Sequence, residues 1–172
     1  MFGTYYAYLA IAGGYLLNLA GGQIGHAAVY IVAYGLIALG GIALRRFSPW
    51  YFRAAGAALA CSVLRLLQLA LPVAALPFLL ACGVLHVLVC LGLAGQRKRC
   101  GLSPALEYVL LALAAAQSLG GAVLLTGLAD GNIFVFQNLL LAANAGGVIF
   151  LIGMVFDVFR TQKLALRSEA EQ

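Results

Sequence analysis

Apolar residues run along this chain in long blocks, broken by short polar or turn-forming segments rather than by regularly alternating polar positions. Stretches such as 27–44 and 109–128 are apolar or small on every side. Six blocks can be drawn, at 4–20, 24–44, 54–71, 73–94, 104–128 and 133–159. Each is near the roughly 20 residues that an α-helix needs to cross the hydrocarbon of a bilayer. Only a helix satisfies every backbone group inside such a stretch, whereas a transmembrane barrel strand would alternate apolar and polar side chains over about 10 positions. The pattern predicts an all-α integral membrane protein of about six transmembrane helices in three tight hairpins. Residues 1–161 form the bundle and 162–172 a short polar tail.

The connections differ in kind. Gly21-Gly22-Gln23, the proline-punctuated segment 71–77 and Ala129-Asp130-Gly131-Asn132 carry no Lys or Arg. The opposite set carries Arg45, Arg46 and Arg53, then Arg97, Lys98 and Arg99, then Arg160, Lys163 and Arg167. Basic loops stay on the cytoplasmic side, so both termini are expected inside the cell, with the cell membrane as the site of residence. Ser48-Pro49 and Ser103-Pro104 follow the first two basic clusters and read as helix starts, with serine as N-cap and proline in the first turn. Phe47, Trp50, Tyr51 and Phe52 read as a short anchoring segment at headgroup level.

Composition agrees with this picture. The 172 residues are 65% hydrophobic and 9% charged, against about 45–50% apolar and about 25% charged in a soluble domain. The first partner is therefore the lipid bilayer. The formal charge of +5 is accounted for by the three clusters as topology and headgroup contact, so no nucleic acid is expected as a partner. Small residues at Gly13, Gly14, Gly35, Gly40, Gly41, Ala54, Ala58, Ala142, Ala143, Ala145, Gly146 and Gly147 supply faces for close helix packing, within the bundle or against a second copy or a partner membrane subunit.

The candidate chemistry lies in polar groups inside the membrane. Arg65 is the one basic residue outside the clusters, and an arginine at a helix centre costs roughly 2.5–3.5 kcal/mol on insertion scales. Ser62, Arg65 and Gln68 recur at i, i+3 and i+6 and share a face. Gln117, Gln137, Asn138 and Asn144 are the facing candidates. Asn18, Gln23 and His26 lie toward the external end of the first hairpin. These positions predict an outward-facing polar pocket in which Arg65 meets a small polar or anionic solute and Gln68, Gln117, Gln137, Asn138 and Asn144 orient it.

Cys82, His86 and Cys90 recur at i, i+4 and i+8 and are weak metal candidates, because Cys82 and Cys90 stand roughly 12 Å apart along the helix. No metal or cofactor is expected. Asp157 and Glu107 read as interfacial ion pairs with nearby basic residues, since a proton relay needs acids at mid-membrane depth. No GxSxG, HExxH or P-loop pattern occurs, so an enzyme is not expected. In size and topology the chain is similar to the substrate-binding membrane subunits of energy-coupling-factor vitamin transporters. That resemblance implies about six helices, cytoplasmic termini and solute capture. The alternative is a non-transporting subunit or signalling module that docks a partner protein.

Overall fold

A computed structural model describes residues 2–24, 27–127 and 133–170. Among them there is no strand, and six long helices account for nearly all positions. They are α1 (Phe2–Ile24), α2 (Ala27–Ala43), α3 (Pro49–Ala70), α4 (Ala75–Arg99), α5 (Ala105–Leu125) and α6 (Ile133–Ala170). Five helical stretches, covering α2 to α6, are long and apolar enough to cross a membrane. At 23 residues α1 has the length too, but four tyrosines, Asn18 and Gln23 dilute its apolar character.

Each helix packs against its neighbours in sequence, and α1 closes on α6, so the six form a ring. Among the described residues, only α4 also reaches across, to α6. The hairpin pairs are thus stitched to one another as well as within themselves.

Close approach at glycine makes this possible. A Cβ at Gly40 would stand 2.6 Å from the Ala7 carbonyl oxygen, and one at Gly14 would stand 2.6 Å from that of Ala33. Gly41 plays the same part between α2 and α3, facing the Tyr51 carbonyl oxygen at 2.6 Å. Without a hydrophobic drive between helices in lipid, such backbone contact supplies much of the association.

Several local features depart from the sequence expectation. The Gly21-Gly22-Gln23 segment belongs to α1 and not to a turn, because the helix runs to Ile24. Ser48 caps α3, its hydroxyl accepting from the Trp50 amide at 3.4 Å with Pro49 in the first turn. Ser103 has no such role: α5 starts at Ala105, Pro104 is its N-cap with φ −89° and ψ 35°, and no side chain caps it. The first turn of α5 holds Glu107 instead, where a carboxylate suits the positive end of the helix dipole. The aromatic group at 47–52 forms no separate segment, because Trp50, Tyr51 and Phe52 already lie in the first turn of α3. Finally, α6 continues to Ala170 and buries Thr161, Gln162 and Ala165 against the bundle. His26 and the connection at 129–132 lie outside the described residues.

Candidate functional site

An inward stripe on α1 sets the first wall of the site. Tyr8, Ile11, Tyr15 and Asn18 recur at spacings of three and four, and all four are buried. The stripe ends in polar groups without partners: both amide atoms of Asn18 and the hydroxyl of Tyr15 make no hydrogen bond. Each unsatisfied group of this kind costs about 1–3 kcal/mol.

Asn18 borders a cavity of about 360 Å³. Tyr30 and Tyr34 of α2, one helical turn apart, form the second wall. His86 of α4, Gln117 of α5, and Asn144 and Phe150 of α6 complete it. No Asp, Glu, Lys or Arg is among these lining residues. The floor is aromatic: the His86 ring packs 4.6 Å from Phe150 and 5.8 Å from Tyr15, centroid to centroid.

Gln117 is fixed across the α5–α6 seam. Its Nε2 donates to the Ala143 carbonyl at 3.2 Å, over Gly147, where a Cβ would come within 2.8 Å of the same nitrogen. A smaller cavity of about 200 Å³ shares His86, Gln117 and Asn144 with the first and adds Cys82, Gly83 and Ser118. From the positions of Asn18, Tyr30 and Asn144 along their helices, the larger cavity lies between mid-bundle and the end remote from the basic clusters.

Of the residues assigned to the pocket from sequence, Gln117 and Asn144 meet at this cavity, and Asn18 and His86, singled out for other reasons, line it as well. Arg65 and Gln68 do not line it. The Arg65 guanidinium donates to Gln68 Oε1 at 2.6 Å and stacks over the rings of Tyr30 at 4.7 Å and Phe78 at 5.5 Å. It therefore stands one layer behind the wall, against the far side of Tyr30. Gln137 and Asn138 are exposed on α6, and Asn138 donates to its own helix at the Phe134 carbonyl, 2.8 Å away.

The cysteine and histidine stripe of α4 is divided among different partners. The Cys82 sulfur lies 3.2 Å from the Tyr34 hydroxyl, His86 joins the aromatic floor, and Cys90 donates to the Met154 sulfur at 3.5 Å. Among the described residues no three His, Cys, Asp or Glu side chains form a metal-sized group. Tyr30 and Tyr34 are the wall residues that the sequence did not single out, while Asn18 was placed among the polar groups of the outer half without a role in holding solute. The one available signal was the spacing of Asn18 three residues after Tyr15, on the helix whose apolar character four tyrosines dilute.

A second polar centre lies at the basic end. Gln96 Oε1 accepts from the hydroxyls of Tyr8 and of Tyr51, the latter at 3.2 Å. Arg97 is 1% exposed and is not a headgroup contact. Its Nη1 stands 2.9 Å from Glu107 Oε1 and 3.5 Å from Asp157 Oδ1. The two acids expected at the interface are thus enclosed, 1% and 0% exposed, and share one arginine. Around this core Arg46 donates to the Thr4 hydroxyl, Arg99 to the Phe47 carbonyl at 2.7 Å, and Gln162 to the Tyr5 carbonyl at 3.4 Å.

No family model, curated protein or solved structure matches this chain.

Proposed function

We propose that this membrane protein captures, and passes on, a small neutral solute in the cavity bordered by Asn18, Tyr30, Tyr34, His86, Gln117 and Asn144. The observation that carries the reading is the buried Asn18 amide at the cavity wall, with donor and acceptor both unpaired. Amides beside aromatic rings suit a ring-bearing solute with its own donor and acceptor, such as a nitrogen heterocycle or an aromatic amide. A lining without charged side chains favours a neutral ligand over an anion, and Arg65 then acts through the Tyr30 ring. The three basic clusters support a cytoplasmic basic end, so that the cavity faces the outside of the cell.

The test uses the full chain purified in mild detergent. Native mass spectrometry should show a co-purifying small molecule, and titration with neutral heterocycles should raise the unfolding temperature. Asn18→Leu and Asn144→Leu should abolish both effects, while Asn138→Leu should leave them intact. Unchanged binding and uptake in the first two variants, across all solutes tried, would make the proposal wrong.

The exposed amides of Gln137 and Asn138 on a lipid-facing helix favour a second reading, in which this face docks a second copy or another membrane subunit. A stoichiometric partner that survives detergent extraction, lost in Gln137→Leu and Asn138→Leu and accompanied by no bound solute, would favour that reading.

A further inference from the structure

We propose that Glu107 and Asp157 hold one exchangeable proton between them at neutral pH, beside Arg97, so that the basic end of the bundle is a proton-binding site. The cluster joins three helices: Arg97 from α4, Glu107 from α5 and Asp157 from α6. With both carboxyls ionised, two negative charges face one guanidinium, and the cluster holds an uncompensated negative charge in a place closed to water. Among the described residues Arg97 is the one cation within salt-bridge distance of either acid. Two carboxylates sharing one buried site do not both ionise at ordinary pH.

The unpaired hydrogen-bonding atoms point the same way. Glu107 Oε2, both Asp157 oxygens, Arg97 Nε and the hydroxyl of Thr161, one turn beyond Asp157, are all buried without a hydrogen-bond partner, and Asp157 Oδ1 has only the charge of Arg97 at 3.5 Å. Three of these five atoms are carboxylate oxygens, which only accept. A proton on Asp157 converts one of them into a donor that can serve Glu107 Oε2 across the pair.

The other titratable groups facing the cluster do not replace that proton. The hydroxyl hydrogens of Tyr8 on α1 and Tyr51 on α3 are directed to Gln96. The Cys90 thiol of α4 is directed to Met154. Arg160 of α6 is exposed and outside salt-bridge distance. Loss of the proton leaves like charges across the α5–α6 seam, with Arg97 of α4 offsetting one of them, so that seam loosens as the medium becomes alkaline. Use of this proton as a coupling ion would rest on the solute-capture reading; its presence does not.

Infrared spectroscopy of the full chain in detergent or lipid nanodiscs tests the site directly. The chain has only five Asp and Glu residues, so one protonated carboxyl is a fifth of the acid signal. The expected result at neutral pH is a protonated-carboxyl band of one group per chain that shifts in heavy water. It should be absent from both Asp157→Asn and Glu107→Gln, because the remaining acid then pairs with Arg97 as a carboxylate. Absence of the band from the wild-type protein overturns the proposal, and that measurement needs no variant to fold. Sodium-dependent stability with no such band also overturns it, because a metal cation then takes the proton's place. A band that persists in both variants assigns the proton elsewhere and likewise refutes the site.

Discussion

Gly40 and Gly35 lie on the same helix, yet alanine should have opposite effects at the two positions. At Gly35 an added Cβ meets nothing within 4 Å. Alanine there removes the conformational freedom of glycine and should stabilise the helix by about 0.5–1 kcal/mol. At Gly40 the same atom would stand 2.6 Å from the Ala7 carbonyl oxygen and 2.6 Å from Ile11 Cγ1. Ile11 can turn aside, but the carbonyl belongs to the backbone of α1 and moves only if the helix does. Overpacking of a close core costs about 1–3 kcal/mol, which exceeds the helix-propensity gain. The propensity gain is common to both variants, so Gly40→Ala should lie about 1–3 kcal/mol below Gly35→Ala, with a net loss of up to about 2 kcal/mol. Equilibrium unfolding in mixed micelles, followed by helical circular dichroism and by the single tryptophan, Trp50, measures both. Equal stabilities for the two variants would refute the claim that backbone contact at Gly40 holds α1 to α2.

Three further outcomes follow from the polar contacts. Arg97→Met leaves Glu107 and Asp157 enclosed without their cation and should cost about 3–5 kcal/mol at neutral pH. The deficit should shrink as pH falls, since both acids are then neutral, and unfolding at two pH values checks the sign. Ser48→Ala removes the α3 cap and should lower stability by about 1 kcal/mol, with Ser103→Ala near neutral as its control. Arg65→Met removes the guanidinium from between Tyr30 and Phe78 and should cost about 1 kcal/mol of stability. It should weaken solute binding less than Asn18→Leu does, and an equal or greater loss in a binding titration would put Arg65 in contact with solute.

The helices were legible in the sequence because lipid demands unbroken apolar runs, but their ends only in part, since Ser48-Pro49 marks the start of α3 while α1 runs through Gly21-Gly22-Gln23 and α6 continues to Ala170. Which side of each helix faces inward was not legible. In a soluble protein the outer face is polar and periodicity betrays the inner one; here the outer face of α2 or α5 is as apolar as the inner, so the pattern carries no direction. Gly35 and Gly40 look alike on paper, and only the neighbouring helix distinguishes them. The same blindness explains the polar groups. Asn138 and Asn144 lie on one helix, but the first bonds its own backbone while the second reaches the cavity. Arg65 drew attention by its charge, and its aromatic partners come from α2 and from the start of α4, which no local spacing reveals.

The two polar centres share their supports, and this bears on how they can communicate. α4 carries His86 to the cavity and Arg97 to the ion cluster; α5 carries Gln117 and Glu107; α6 carries Asn144 and Asp157. At 1.5 Å per residue the two positions on each helix are about 15–20 Å apart. A helix segment of that length without proline is stiff, and none of the three segments contains one. If the proposed proton site gains or loses charge, the repulsion arises between α5 and α6, and these stiff segments are the direct route by which it would reach the cavity walls. The wall residues outside this trio, Asn18, Tyr30 and Tyr34, sit on α1 and α2, which the contacts at Gly14 and Gly40 fasten together. The cavity thus lies between one pair of helices locked by backbone contact and a trio that meets at an enclosed charge.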